Sequence, residues 1–315
     1  MFDDRGLFFF PITEDVDRLL LVIRRFIAAC ASPNSSSQSL RSDGLYLYRQ
    51  LIEPLSEHLD RTRTLLFDGD AAVADIPMQA LVDESGSYFG DTYSTGSLPS
   101  LQHFLRFRRT SRLTPHDSAL IVSVSGSGSL VREGMMPLSD SGDEARTVAQ
   151  RFVNALLIQE KDAKSEVVER EIPGAVVFHY AGHTDAATFG TGLLLSGSRN
   201  QVSLLDAARI RSLRPGVLQL AVLSACSTES SGRRGLQDAD SLVLAFLDAG
   251  VPHVVASRWE VDSATTTKLM SSFYDSLLAG MSVSEALRAA SRKIRSDPST
   301  GKPYYWAAFG SFGAP

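Results

Sequence analysis

A histidine at position 183 and a cysteine at position 226 are the residue types with which this chain could do nucleophilic chemistry. A thiol attacks poorly until it loses its proton, and an imidazole within reach can take that proton. The stretch from 183 to 226 has the length of one strand–crossover–strand unit, which returns a parallel strand beside the first and brings two strand ends together. Cys226 follows the apolar run LQLAVL and is ringed by Ser224, Ala225 and Ser227, small enough for a turn whose amides face a substrate. The backbone N–H of Cys226, with one from the segment Gly182–Thr184, could then hold a developing oxyanion. The bland alternatives stay open. Strand-end cysteines are often inert core, and a histidine beside a glycine is often a turn residue. His179, among apolar neighbours, reads as structural, and Cys30, on the first helix, reads as unreactive.

The elements around the pair follow from pattern. ALIVSVS, AVVFHYAGH, LQLAVLSAC and HVVASRW read as short apolar strands, and YYWAAFGSFG as a closing strand. Between them lie helical stretches: GDEARTVAQRFVNALLI with Val148, Phe152 and Leu156 on one stripe, and DADSLVLAFLDAG ending at Gly250. SATTTKLMSSFYDSLLAG and SVSEALRAASRKIRS then follow the fourth strand, the second with Ser282 or Ser284 as N-cap. Apolar strands alternating with helices predict an α/β fold, a mostly parallel sheet with helices on both faces. In such sheets chemistry collects beyond the carboxyl ends of the strands. Upstream, Val16, Leu19, Leu20, Ile23, Phe26 and Ile27 mark an amphipathic helix, and ASPNSSSQSLRSDG reads as a loop. LYLYRQLIEPLSEHL reads as a second helix, and TLLFDGDAAVADIPMQALV as a strand, a turn and a short element. The pattern divides the chain into an N-terminal α+β lobe, residues 1–116, and an α/β domain, residues 117–315, which carries the candidate His183 and Cys226.

The fourth strand ends in RWEVD, which would flank the pair. A half-buried carboxylate there favours an arginine or lysine in the adjoining substrate pocket, because a guanidinium offsets an enclosed charge. Asp262 is the first candidate, Glu260 the second, and Trp259 a wall of the pocket. Asp262 is equally well placed to cap the helix that follows. SVSGSGSLVREGMMPLSDSGDE is not a phosphate loop: Val131 stands where a third glycine belongs, and no Gly-Lys-Ser/Thr follows. It reads as a flexible rim loop. No G-x-S-x-G serine elbow occurs.

Composition narrows the classes. Net charge is −5 and pI about 5.7, with no basic block, so neither nucleic acid nor an anionic membrane is an expected partner. Two cysteines build no disulfide framework and point to a reducing, cytoplasmic setting. No stretch reads as a signal peptide or membrane span. His179, His183 and Cys226 do not form a metal cluster, and no cofactor or metal is expected.

VVFHYAGHT, LQLAVLSACST, AFLDAGVPHVVASRWEVDSATTTKLMSSFYDSLLAGMSVSEALRAA and YYWAAFGSFG together resemble the CHAT domain of the caspase-like cysteine peptidases, in the same clan as separases, caspases and gingipains. LYRQLIEPLSEHL and DGDAAVADIPMQALVD resemble its N-terminal part. The resemblance implies a caspase–haemoglobinase fold and a regulated cysteine endopeptidase. His183 takes the general-base place and Cys226 the nucleophile place, and separases, which cleave after arginine, resemble the expected preference for Arg or Lys. Caspases carry a glycine directly after the catalytic histidine. Here Thr184 stands there and Gly182 precedes, which leaves open which amide completes the oxyanion hole. The implied partners are a protein or peptide substrate and an activating module of repeat or second-messenger-sensor type. No repeat period occurs in this chain. The polar loop STESSGRRGLQDAD, with Arg233–Arg234, would rearrange or be cut on activation. The alternative is a catalytically silent CHAT domain acting as an interaction scaffold.

Overall fold

The computed structural model describes residues 1–69, 71–98, 103, 111–126, 138, 140–185, 192–197, 202–214, 216–226, 241–260 and 262–314. The loop carrying Arg233–Arg234 and most of the segment 127–139 lie outside the described residues.

A short hairpin, β1 (Phe2–Asp3) with β2 (Gly6–Leu7), precedes two helices, α1 (Val16–Cys30) and α2 (Ser37–Leu51). Expected as a loop, the serine-rich stretch instead opens α2. Ser36 caps it through a hydrogen bond from the Ser39 amide. Asp43 and Gly44 belong to the contact with α1: Asp43 is buried and pairs with Arg25. A Cβ at Gly44 would lie 3.2 Å from the Phe26 ring. The residues that look like loop punctuation are the ones that let two helices approach.

One large sheet carries the rest. Its strands are β3 (Thr64–Phe67), β4 (Ser94–Ser97), β5 (Ser118–Val124), β6 (Asn154–Gln159), β7 (Val177–Asp185), β8 (Gly192–Ser196), β9 (Val202–Asp206), β10 (Leu220–Cys226), β11 (His253–Ser257) and β12 (Phe309–Gly313). The order is β3-β4-β12-β11-β10-β7-β5-β6, with β8 and β9 attached antiparallel at the end of β7. Within the path only β11–β12 is antiparallel. The N-terminal strands β3 and β4 thus extend the same sheet.

The helix expected over GDEARTVAQRFVNALLI is half helix and half strand. α3 (Ser141–Ala149) stops, and β6 begins at Asn154 and pairs parallel with β5. The exposure of β6 alternates along most of its length, the period of a strand with one face covered. The later helices are α4 (Ser165–Glu171), α5 (Ala207–Ser212), α6 (Leu242–Asp248), α7 (Ser263–Leu278) and α8 (Val283–Arg295). Gly250 ends α6 at φ +101°, a left-handed conformation that glycine adopts without strain.

Each sheet face has its own core. On one face Val177 of β7 and Leu220 and Val222 of β10 pack with Val148 of α3 and Phe273 of α7. On the other, Phe178, Tyr180 and Leu223 pack with Val168 of α4, Ile210 of α5 and Phe246 of α6. The rings of Phe178 and Phe246 lie 5.8 Å apart and neither sees solvent. Burying each contributes about 1.5–3 kcal/mol. Central strands sealed on both sides explain why their sequences read as continuous apolar runs.

Candidate active site

β7 and β10 are neighbours, parallel and in register over seven pairs, from Leu220↔Val177 to Cys226↔His183. The last pair of the ladder is therefore the sequence's candidate dyad. Registered positions on adjacent strands share a face of the pleat. Position 226 lies on the α3/α7 face with 183, as do Ser224 with Ala181 and Val222 with His179.

His183 is held from both faces of the sheet. It is buried at 4% exposure. The backbone of Gly126, just past β5, turns at φ +74° so closely beneath it that a Cβ there would lie 3.0 Å from the imidazole Cδ2 and 3.2 Å from Nε2. From the opposite face Tyr180 folds over Gly182. Its hydroxyl lies 2.8 Å from the carbonyl oxygens of both His183 and Leu194, which share its one proton. Gly182 must be glycine because Tyr180 occupies the space of its side chain.

His179 is structural in its surroundings. Its Nδ1 lies 3.2 Å from the Tyr274 hydroxyl and its Nε2 3.1 Å from Oε1 of Glu144. All three are buried, and burial, with the Glu144 charge second, holds the Tyr274 phenol well above its usual value.

Beside the dyad positions opens a cleft of about 370 Å³. Gly182, Ser224 and Ala225 form its inner edge, Trp259 and Ser263 its far wall, and Glu144 contributes the one charged group among the described residues that line it. Glu144 belongs to the buried stripe of α3, with Ser141, Ala145 and Val148. The acidic residues expected from RWEVD stand elsewhere. Asp262 caps α7, its Oδ2 accepting from the Thr265 amide at 2.9 Å and from the Thr265 hydroxyl at 2.8 Å. Such a cap contributes about 1 kcal/mol. Glu260 is exposed. Trp259 does line the cleft, buried, with its indole N–H donating to the Tyr304 carbonyl at 3.1 Å. Sequence reasoning passed over Glu144. The signal was a carboxylate set on the apolar stripe of a helix, where a charge is costly unless it has a task. It passed over Gly126 because nothing local reports the imidazole above it.

Of the oxyanion candidates, Gly182 stands inside the ladder between Val124 of β5 and Ala225 of β10. Thr184 lies where β7 leaves the parallel ladder and pairs with Leu193 of β8. The other thiol, Cys30, is fully buried, and burial pushes its proton affinity far up.

The family model for the CHAT domain matches residues 41–314. The chain belongs to the CHAT domain family. Tetratricopeptide repeat protein 28 of Mus musculus is 36% identical over 111 residues, which is 35% of this chain and 4% of that protein. Its Homo sapiens counterpart is 36% identical over 109 residues, again 4% of its length. The chain therefore spans a small fraction of these curated relatives. Among solved structures, the separase–securin complex of Saccharomyces cerevisiae is similar at a TM-score of 0.55 and 15% identity, over 94% of this chain and 20% of that one. At that identity the likeness is one of fold: this CHAT domain has the caspase-like architecture, a mostly parallel sheet with helices on both faces. Among the described residues no helix is long and apolar enough to cross a membrane.

Proposed function

We propose that this CHAT domain is a regulated cysteine endopeptidase working through His183 and Cys226, and that it cleaves a partner protein after arginine or lysine. The observation that carries the reading is the strand register Cys226↔His183 at the carboxyl end of a parallel sheet, beside an open cleft. In the reaction the imidazole takes the thiol proton and the sulfur attacks the scissile carbonyl carbon. Backbone amides near Gly182, Thr184 and Cys226 stabilise the oxyanion. As the tetrahedral adduct collapses, the C–N bond breaks and the imidazolium returns the proton to the leaving amine. Water, deprotonated by the same imidazole, then hydrolyses the thioester.

The basic preference rests on Glu144. Glu144 already meets His179 through one oxygen, and as the charged group lining the cleft among the described residues it would pair better with a guanidinium or ammonium than with a neutral side chain. Trp259 would flank the substrate's aliphatic stem. Asp262, engaged as a helix cap, is the weaker candidate for this role. An activating partner of repeat or sensor type fits a cytoplasmic peptidase that must be gated. A second reading, a silent interaction domain, is favoured by one observation: both curated relatives are named tetratricopeptide repeat proteins.

The test is cleavage of peptides differing only at P1 (Arg, Lys, Leu, Asp), by wild type and by Cys226→Ala. Turnover of the basic peptides that vanishes in the variant supports the peptidase. Equal, negligible turnover by both, with and without repeat-bearing partners, supports the scaffold.

A further inference from the structure

A second cavity, of about 570 Å³, opens where α8 crosses β4 and β12. Among the described residues four guanidinium groups line it, those of Arg258, Arg288, Arg292 and Arg295, against one carboxylate, Asp91. Asp91 is taken by Arg295, which holds both its oxygens and also stacks over Tyr88 and Trp306 at 4.9 Å and 5.5 Å. Arg288 is oriented by the Thr92 carbonyl at 3.2 Å and the Ser94 hydroxyl at 3.4 Å, both neutral acceptors. Arg292 is half-exposed at the rim, 4.0 Å from Asp91. Arg258 is the unusual member. It is half-buried, 5.4 Å from the Phe312 ring, and burial lowers its pKa to about 10, with the Asp75 charge opposing that shift. Asp75 lies near Arg258, Asp91 is shared by Arg295 and Arg292, and Glu285 lies near Arg288, so among the described residues the guanidinium groups of the lining outnumber the carboxylates about them by one.

The cavity also adjoins the cleft. Arg258 lines the cavity and the next residue, Trp259, lines the cleft. Phe309 lines both, and it pairs across β11–β12 with Ser257. Gly310 gives Arg258 its place: a Cβ there would lie 2.3 Å from Nη1. A pull on the Arg258 guanidinium therefore acts on the two residues that separate cavity from cleft.

We propose that this cavity is a regulatory site for a small anionic ligand bearing a phosphoryl group, and that its occupancy is relayed through Arg258–Trp259 and Phe309 to the cleft beside His183. Guanidinium groups match phosphoryl oxygens in a bidentate manner. The excess of guanidinium over carboxylate in the lining favours a negatively charged ligand. The relay rests on the reading of the cleft as the peptidase site; the binding site does not.

The experiment titrates the full chain calorimetrically with inorganic phosphate, pyrophosphate and adenosine 5′-monophosphate at fixed ionic strength, with sodium chloride as control. In parallel it follows alkylation of Cys226 by iodoacetamide with and without each probe. Saturable binding of at least one phosphoryl probe is expected, weakened about tenfold by Arg288→Gln and again by Arg292→Gln, both at the cavity wall rather than the core. The nucleotide binding more tightly than pyrophosphate would mean the ligand is a nucleotide, and the reverse a simple polyphosphate. Either agrees with the site. No saturable binding by any probe, or binding indifferent to both substitutions, overturns it. Binding without any change in the Cys226 alkylation rate overturns the relay while leaving the site. If Cys226 resists alkylation in every condition, the peptidase reading fails, and calorimetry still decides the site.

Discussion

Gly182→Ala strikes the candidate site from behind, and its cost can be worked from the contacts. The added Cβ would lie 2.6 Å from the Tyr180 hydroxyl oxygen, 2.7 Å from its Cζ and 2.8 Å from the Val124 carbonyl oxygen. One of these is main chain of the next strand, so β7 cannot simply slide away. The tyrosine is fully buried and has no route to solvent. Either the ring leaves the carbonyls of His183 and Leu194 or β5 and β7 separate. Overpacking a tight core costs about 1–3 kcal/mol, and stranding the hydroxyl and its acceptors costs about another 1–3 kcal/mol. A total of about 2–6 kcal/mol corresponds to a fall in Tm on the order of 10 °C. Urea unfolding of Gly182→Ala, Tyr180→Phe and the double variant measures it. Removing the hydroxyl deletes the nearest obstacle, so the double variant should lose less than the sum of the two singles. A Gly182→Ala protein as stable as wild type, or strict additivity, would refute the reasoning.

Three further outcomes are expected. Glu144→Gln keeps the size of the side chain but removes its charge, so kcat/KM for arginine at P1 should fall about a hundredfold while neutral P1 peptides are unaffected; a parallel loss for both would deny Glu144 the specificity role. Gly126→Ala puts a methyl group against the His183 ring at a backbone φ of +74°, so peptide cleavage should fall at least tenfold for a stability cost of about 1 kcal/mol; unchanged cleavage would mean the ring is not seated on that turn. His253 is buried, and burial lowers its pKa from 6.5 to about 4 against a hydrogen bond to the Ala314 backbone that raises it. The folded state thus refuses a proton that the unfolded chain accepts below about pH 6.5. Stability is full above that pH and should decline by up to about 3 kcal/mol as pH falls toward 4. Urea midpoints of wild type and His253→Phe across that window check this, and identical slopes would contradict it.

The parts of the fold most legible in the sequence are those whose burial is symmetric. β5, β7, β10 and β11 are covered on both faces, so each is a continuous apolar run that admits one reading. β6 was misread because Val148, Phe152 and Leu156 share a helical spacing across a helix–strand junction; burial on one face of an edge strand leaves too weak an alternation to compete. The start of α2 was misread because serines, an aspartate and a glycine are loop formers by propensity, and only the contact with Phe26 and Arg25 makes them helix. At the site, residues 183 and 226 stood out by type and by position at strand ends. Glu144 and Gly126 did not, because their roles come from elements far apart in sequence that meet only in the folded sheet. Asp262 carried two readings from the outset, and the cap is the one its hydrogen bonds satisfy.

Sulfur chemistry at Cys226 under the control of His183 is most directly measured by the pH dependence of iodoacetamide alkylation in wild type and His183→Gln. Cys30, sealed in the core, stays silent in both. The account predicts rapid alkylation of wild-type Cys226 well below pH 8, and in His183→Gln a shift of the profile toward an ordinary thiol near pH 8.5, with the rate at pH 6 lower by about a hundredfold. Superimposable profiles for the two proteins would contradict it.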